Sequence, residues 1–474
     1  MGGGKSGGGA KSLVADEVLG RLMQRAPIGV MARATIERAL SPEAVDKLFE
    51  KTADTQYVRQ LLFSSTVNLM SLVVCRIEPA VHAAYQRVAD DLPVSVQALY
   101  EKLARTEPKV CSALVRHAAA RLAPVIKEMG GGLPPLLPGH PVRILDGAHL
   151  ASTERRVKAI RGSVAGPLPG HSIVVLDPSS MLVEETIPCE DGHAQERSLT
   201  PDILALVQPG EVWMGDRNFC TVRLLFGIVD RQAFPVIRQH ATNVSWLPVG
   251  KCRGLGRIES GRVYEQEIII WADDPTGRAI HMRRITLLLD KPTTNEEREI
   301  HILTTLPERV ASGKRIARLY ARRWTLENSF AEIQKMLNGE IAPLGYPRAA
   351  LFGFSVALVA YNILSTIKAA LRAAHGHAQV EQTVSIYYIA DQARATVGGI
   401  DAATPPECWT DICETTPARF GRFLVRVAAN VNLNTLRRHP RGPKTPVPKR
   451  TRFRTHTHVS TAKVLAEATG RVTP

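Results

Sequence analysis

The sequence predicts an α/β fold in which helices precede a mixed sheet, a β-rich stretch interrupts it, and more helices follow. Three observations carry this. Residues 12–128 repeat apolar positions at helical spacing; from Val142 short apolar runs alternate with helical segments; and between 240 and 307 β-branched runs return before helical spacing resumes.

The helical opening is clearest in Leu61–Val74 and Val110–Leu122 and is expected to form an N-terminal domain over 12–128. Such a bundle serves equally as a DNA-recognition module or as a scaffold. The linker expected at 129–141 contains Gly130-Gly-Gly-Leu-Pro-Pro-Leu-Leu-Pro-Gly-His-Pro141, which no helix tolerates. Residues 1–11 are too glycine-rich to fold and lack an apolar segment, so neither a signal peptide nor an anchor is expected there. Gly-Gly-Gly-Lys-Ser near the start is not a phosphate loop, because no strand precedes it and its first glycine is missing.

After the linker, strands are expected at Val142–Asp146, His171–Asp177 and Met181–Pro188, the last two joined by a turn at Pro178-Ser-Ser. A helix at Leu199–Gln208, a strand at Val212–Asp216, a helix at Thr221–Arg231 and a strand at Phe234–Arg238 complete a ribonuclease H-like order. The core so defined covers 142–239 and resumes at 308–373. The stretch 240–307, with strands at Arg262–Ala272, Ala279–Asp290 and Glu299–Leu306, reads as a β-rich insertion domain. Ala349–Leu371 is apolar enough to suggest a membrane span. Tyr361, Asn362, Ser365, Thr366 and Lys368 interrupt it, so a buried core helix and no membrane are expected. A C-terminal helical region is expected over 374–436 and a basic tail over 437–474, flexible through Arg437–Arg454.

Sixty Lys and Arg against 45 Asp and Glu give a formal charge of +15, which favours a polyanionic partner over an acidic metabolite. The seven cysteines are odd in number and lack CxxC spacing, so they read as reduced thiols rather than disulfides or zinc ligands.

Two apolar runs end on an acid: Val142-Arg-Ile-Leu-Asp146, followed by Gly-Ala-His, and Glu211-Val-Trp-Met-Gly-Asp216, followed by Arg-Asn-Phe. A buried strand whose last residue emerges at the sheet's edge delivers that residue to the place where sites of open sheets form. A third acid lies in Tyr320-Ala-Arg-Arg-Trp-Thr-Leu-Glu-Asn-Ser-Phe-Ala-Glu-Ile-Gln-Lys335. Read as one helix with Glu327 at zero, Leu319, Leu326, Phe330, Ile333 and Leu337 form an apolar stripe between roughly −60° and −120°. Tyr320, Arg323 and Gln334 lie within about 40° of Glu327. That second stripe suits a site, and equally a solvated face with an Arg–Glu i, i+4 pair. Three carboxylates together suit hard divalent ions, and a two-ion site catalyses phosphoryl transfer.

With these residues the chain resembles the DDE transposases of bacterial insertion sequences, in the IS-four branch whose helix carries a Tyr-x2-Arg-x3-Glu-x6-Lys signature. Tyr320, Arg323 and Glu327 match the spacing; Gln334 stands where the Lys is expected and Lys335 follows. On the wheel Gln334 sits about 20° from Glu327 and Lys335 about 80°, so Gln334 is expected to face the site and Lys335 its rim. The resemblance spans roughly residues 140–373.

It implies Asp146, Asp216 and Glu327 as catalytic, metal-holding acids for two Mg²⁺ ions, with Mn²⁺ able to substitute. It also implies DNA contacts by Tyr320, Arg323, Gln334 and Lys335, and a β insertion between the second and third acids. The partners expected are transposon ends and target DNA, engaged by a homodimer in the prokaryotic cytoplasm at the nucleoid. Trp246 and Trp271 in the insertion are either core residues or aromatics that stack on a displaced base. The basic connection Glu154–Arg161 is either a phosphate contact or a solvated loop. Two alternatives stand beside transposition: a nuclease of the same fold, and a domesticated, catalytically inactive DNA-binding protein.

Overall fold

The computed structural model describes residues 17–55, 61–150, 158–160, 166–272, 277–293, 296–323, 336–341, 344–439 and 458–470. Its sheet grows in both directions from β1 (Val142–His149). After the short β2 (Gly166–Leu168), β3 (His171–Asp177) and β4 (Leu182–Cys189) form a hairpin that pairs antiparallel with β1. On the other side β5 (Val212–Gly215) and β6 (Phe234–Arg238) run parallel to it. Their near-continuous apolar sequences are those of strands covered on both faces.

The β-rich stretch does not fold apart from this sheet. β7 (Trp246–Pro248), β8 (Arg253–Ile258), β9 (Gly261–Trp271), β10 (Ala279–Leu289) and β11 (Glu299–Thr304) continue it, with β11 pairing antiparallel to β6. The result is one ten-stranded sheet in the order β4-β3-β1-β5-β6-β11-β10-β9-β7, with β8 beside β9. Hydrogen bonding along β6 is the reason: without β11 that strand would present an open edge.

The helices that precede the sheet include α1 (Pro27–Leu40), α2 (Pro42–Thr52), α3 (Phe63–Val74), α4 (Val81–Arg87), α5 (Val96–Arg105) and α6 (Pro108–Glu128). Two helices, α7 (Thr200–Leu206) and α8 (Val222–Asp230), flank β5, and α9 (Gly313–Ala321) follows β11. The long α10 (Pro347–His375) starts with Pro347 in its first turn and ends at Gly376, whose φ of 90° suits only glycine. Alternate strand residues divide the core. Leu145, Trp213 and Ile237 pack with α7 and α8, whereas Ile144, Met214 and Val236 join one apolar cluster with the N-terminal helices, α9 and α10.

α10 is long and apolar enough to cross a membrane by composition alone, with a mean hydropathy of 1.8, yet its apolar window is wholly buried inside the fold. Asn362, fully buried at its centre, explains one polar interruption: its amide donates to Val183 O and accepts from Val183 N, both at 2.8 Å. β4 is the edge strand, and this side chain satisfies backbone groups that have no neighbouring strand.

One expectation changes at the helix of the third acid. The helix carrying Tyr320 does not run on unbroken: α9 ends at Ala321, and Arg322 N and Arg323 N close it through Leu319 O at 2.9 Å and Tyr320 O at 3.0 Å. These i→i+3 bonds tighten the last turn and take Arg323 off the ideal wheel. In the tail, β12 (His458–Ser460) pairs parallel with β2 and leads into a helix, Thr461–Ala468, while most of Arg437–Arg454, expected to be flexible, lies outside the described residues. Lys463 secures that helix to Asp191 at 3.1 Å. All seven cysteines are free, as their spacing implies.

At the N-terminal end of β1, Arg143 is shared by three carboxylates: Glu184 at 3.0 Å, Glu211 at 3.2 Å and Asp177 at 3.8 Å. Burial, reinforced by Asp177 and Glu211 against the pull of Arg143, pushes the Glu184 carboxyl up to about 7 from 4.5. A carboxyl raised on folding favours the native state below its unfolded pKa and loses that contribution as pH climbs through the folded value. Glu184→Gln is therefore expected to match the wild type near about pH 5 and to exceed it in thermal stability near about pH 8. A stability difference that stays constant across that range would show that Glu184 does not titrate there.

Candidate active site

The two strand-end acids meet at the fork where β1 parts from β5. Their parallel pairing stops at Ile144↔Met214, while β1 runs on to His149 because β3 still pairs with it through His149↔His171. Asp146 thus lies within β1 rather than at its end. Asp146 and Asp216 are each two residues beyond the Ile144–Met214 pair, so strand alternation directs them to the same face as that pair. That face is the one covered by α9 and α10.

Local hydrogen bonds fix both acids. Asp146 Oδ1 accepts from Gly147 N at 3.1 Å, and Asp216 Oδ1 accepts from Asn218 N at 2.8 Å, turning the chain into the short 3₁₀ segment Arg217–Phe219. Burial raises the Asp216 carboxyl, aided by Glu196 and opposed by the Asn218 amide and Arg323. Arg217 does not pair with its neighbouring acid; it reaches Glu297 at 2.9 Å, which also holds Arg238 at 2.7 Å.

Arg323 comes from the end of α9 and is almost completely buried, with Nη1 4.0 Å from Asp146 Oδ1. Its guanidinium lies 5.8 Å from the ring centroid of Tyr320, which is itself buried and whose hydroxyl is pushed up to about 12 by that burial. A cation between two carboxylates offsets charge that would otherwise be costly to bury together.

The structure therefore brings together Asp146, Asp216, Tyr320 and Arg323. Glu327, Gln334 and Lys335 lie outside the described residues, as does most of the basic connection, of which Lys158–Ile160 is a 3₁₀ turn. Among the described residues no three His, Cys, Asp or Glu side chains are arranged to hold a metal ion. The donor set nevertheless fits one: two hard carboxylates side by side, one of them disfavoured in its charged form by burial and a neighbouring acid.

Residues 138–363 match the transposase DDE domain. No curated protein matches the chain. The transposase DDE domain match begins just before β1 and ends inside α10, taking in both acids and Arg323. It supports a transposase function in general, an enzyme acting on DNA, and this family generally uses divalent metals.

One neighbour went unread in the sequence. Glu196, in the turn before α7, accepts from Asn218 Nδ2 at 3.3 Å and lies 3.7 Å from His149 Nε2. Its segment, Asp191-Gly-His-Ala-Gln-Glu196, has neither periodicity nor a motif. The one available signal was the glycine directly after Asp146. In the insertion, Trp246 is half-buried beneath the Arg284 guanidinium at 4.6 Å, and Trp271 is 39% exposed.

Proposed function

We propose that the protein is a DDE transposase of the IS-four branch, which binds transposon ends, cleaves phosphodiester bonds there and joins the freed 3′ hydroxyl to target DNA. The observation that carries this reading is that Asp146 and Asp216 each lie two residues beyond the last parallel pair of β1 and β5, Ile144↔Met214. Both lie inside the transposase DDE domain match. In this reading the core is ribonuclease H-like, and Glu327 completes the catalytic set.

Asp146, Asp216 and Glu327 would hold two Mg²⁺ ions, or Mn²⁺ in their place. Bound there, such ions supply Lewis-acid activation of the attacking oxygen and stabilise the leaving one. The chain's own residues orient the DNA: Arg323 offers its guanidinium to a backbone phosphate beside the cut, and Tyr320, neutral and buried, fixes the direction of that guanidinium. Gln334 and Lys335 add backbone contacts, the surplus positive charge draws in DNA, and two copies act together on it in the prokaryotic cytoplasm.

The test is incubation of the protein and Mg²⁺ with supercoiled DNA carrying the coding region and its flanks. Cleavage at the element's ends and joined 3′-end products are expected. DNA binding without Mg²⁺-dependent cleavage would overturn the reading, and cleavage without joining would restrict it to a nuclease.

Arg323→Ala is expected to slow cleavage at least about tenfold, since a charge-assisted hydrogen bond contributes about 1.5–3 kcal/mol. End binding should also depend less steeply on salt than in the wild type. Equal cleavage and equal salt slopes would remove Arg323 from the DNA contact.

A further inference from the structure

Glu196 approaches the fork from the side of β1 opposite to Asp146. A Cβ added to Gly147 would lie 1.7 Å from Glu196 Oε1, so the carboxylate occupies space that only a glycine leaves open. Side chains of successive strand residues point to opposite faces, which places Glu196 across the strand from Asp146. Its other oxygen takes the Asn218 side chain at 3.3 Å, and the backbone of that same Asn218 donates to Asp216 at 2.8 Å. The Glu196 side chain is only 9% exposed, although the Asn218 it meets lies at the surface.

We propose that Glu196 is a positioning residue for the second acid: seated on the bare Cα of Gly147 and bonded to Asn218, it fastens the Asp216 turn to β1 so that Asp216 stays level with Asp146. The inference rests on the transposase reading of the site. Two strands that have just ceased to pair are free to splay, and a carboxylate bridging them restores one connection beyond the last backbone bond. This role needs the shape and acceptor oxygen of Glu196. It does not make Glu196 a metal ligand.

The experiment compares Glu196→Ala, Glu196→Gln, Gly147→Ala and the double variant Gly147→Ala/Glu196→Ala in the full chain. Readouts are cleavage rate, DNA affinity by anisotropy, and Mn²⁺ affinity by calorimetry without DNA. Loss of an outer-shell partner that orients a ligand costs about 10–100-fold in metal affinity or activity. Glu196→Ala and Gly147→Ala should each show a loss of that order in both cleavage and Mn²⁺ affinity, with DNA affinity unchanged. Glu196→Gln should retain both within a few-fold. The double variant should be no worse than either single one, because both changes remove the same contact.

Normal Mn²⁺ affinity and cleavage in Glu196→Ala, alongside an inactive Asp216→Ala, would overturn this inference and leave the transposase reading standing. Normal cleavage by Asp216→Ala would overturn the transposase reading itself. Should Glu196→Ala fail to fold, Gly147→Ala decides: unaltered Mn²⁺ affinity there refutes the positioning role.

Discussion

Asp146→Ala and Asp216→Ala are each expected to lower DNA cleavage by at least about 10³-fold, because metal-assisted stabilisation of the transition state is worth several kcal/mol and about 1.4 kcal/mol is tenfold in rate. DNA binding should change little, since phosphate contacts and the surplus positive charge remain. The isosteric Asp216→Asn offers a control for folding. Burial and Glu196 already disfavour the charged form of Asp216, so a neutral side chain of the same shape should leave the melting temperature equal or higher while cleavage disappears. Cleavage at wild-type rate by either alanine variant would remove that residue from the catalytic set. A melting temperature lowered by Asp216→Asn would mean that the carboxylate holds the fold together.

Asn362→Leu is expected to carry a large stability cost although it makes α10 more apolar. Leucine suits an apolar helix, and composition alone would favour it. It cannot, however, pair with the N–H and C=O of Val183, which Asn362 holds at 2.8 Å each. An unsatisfied buried polar group costs about 1–3 kcal/mol, so two give a loss of about 2–5 kcal/mol after the gain from burying leucine. Denaturant unfolding would measure this directly. A loss below about 1 kcal/mol would show that water or a shift of β4 replaces the amide.

The strands were largely legible in the sequence. His171–Asp177 and Phe234–Arg238 form as expected because each is an apolar run bounded by turn residues. Asp146 and Asp216 were legible for the same reason, as acids that interrupt such runs. The end of α9 was not, since Leu319–Leu337 contains no proline and the last turn is closed by backbone bonds at Arg322 and Arg323. Glu196 could not be read because its importance comes from Gly147 and Asn218, on other segments. The merging of the β-rich stretch with the sheet was hidden likewise: pairing of Ile302 with Arg238 joins residues far apart in the chain, and β propensity does not name a partner.

The place of α10 in the chain order has a consequence for how the protein is made. This helix packs on α6, on β4 and on the N-terminal helices, and through Asn362 it completes the backbone pairing of the edge strand. During synthesis those partners leave the ribosome well before residue 375. Until then α6 already packs on β4, but the Val183 N–H and C=O that Asn362 pairs have only water or another protein to meet. The nascent chain therefore carries an unfinished sheet edge from the synthesis of β4 to that of α10, and completion of that edge waits on one late helix.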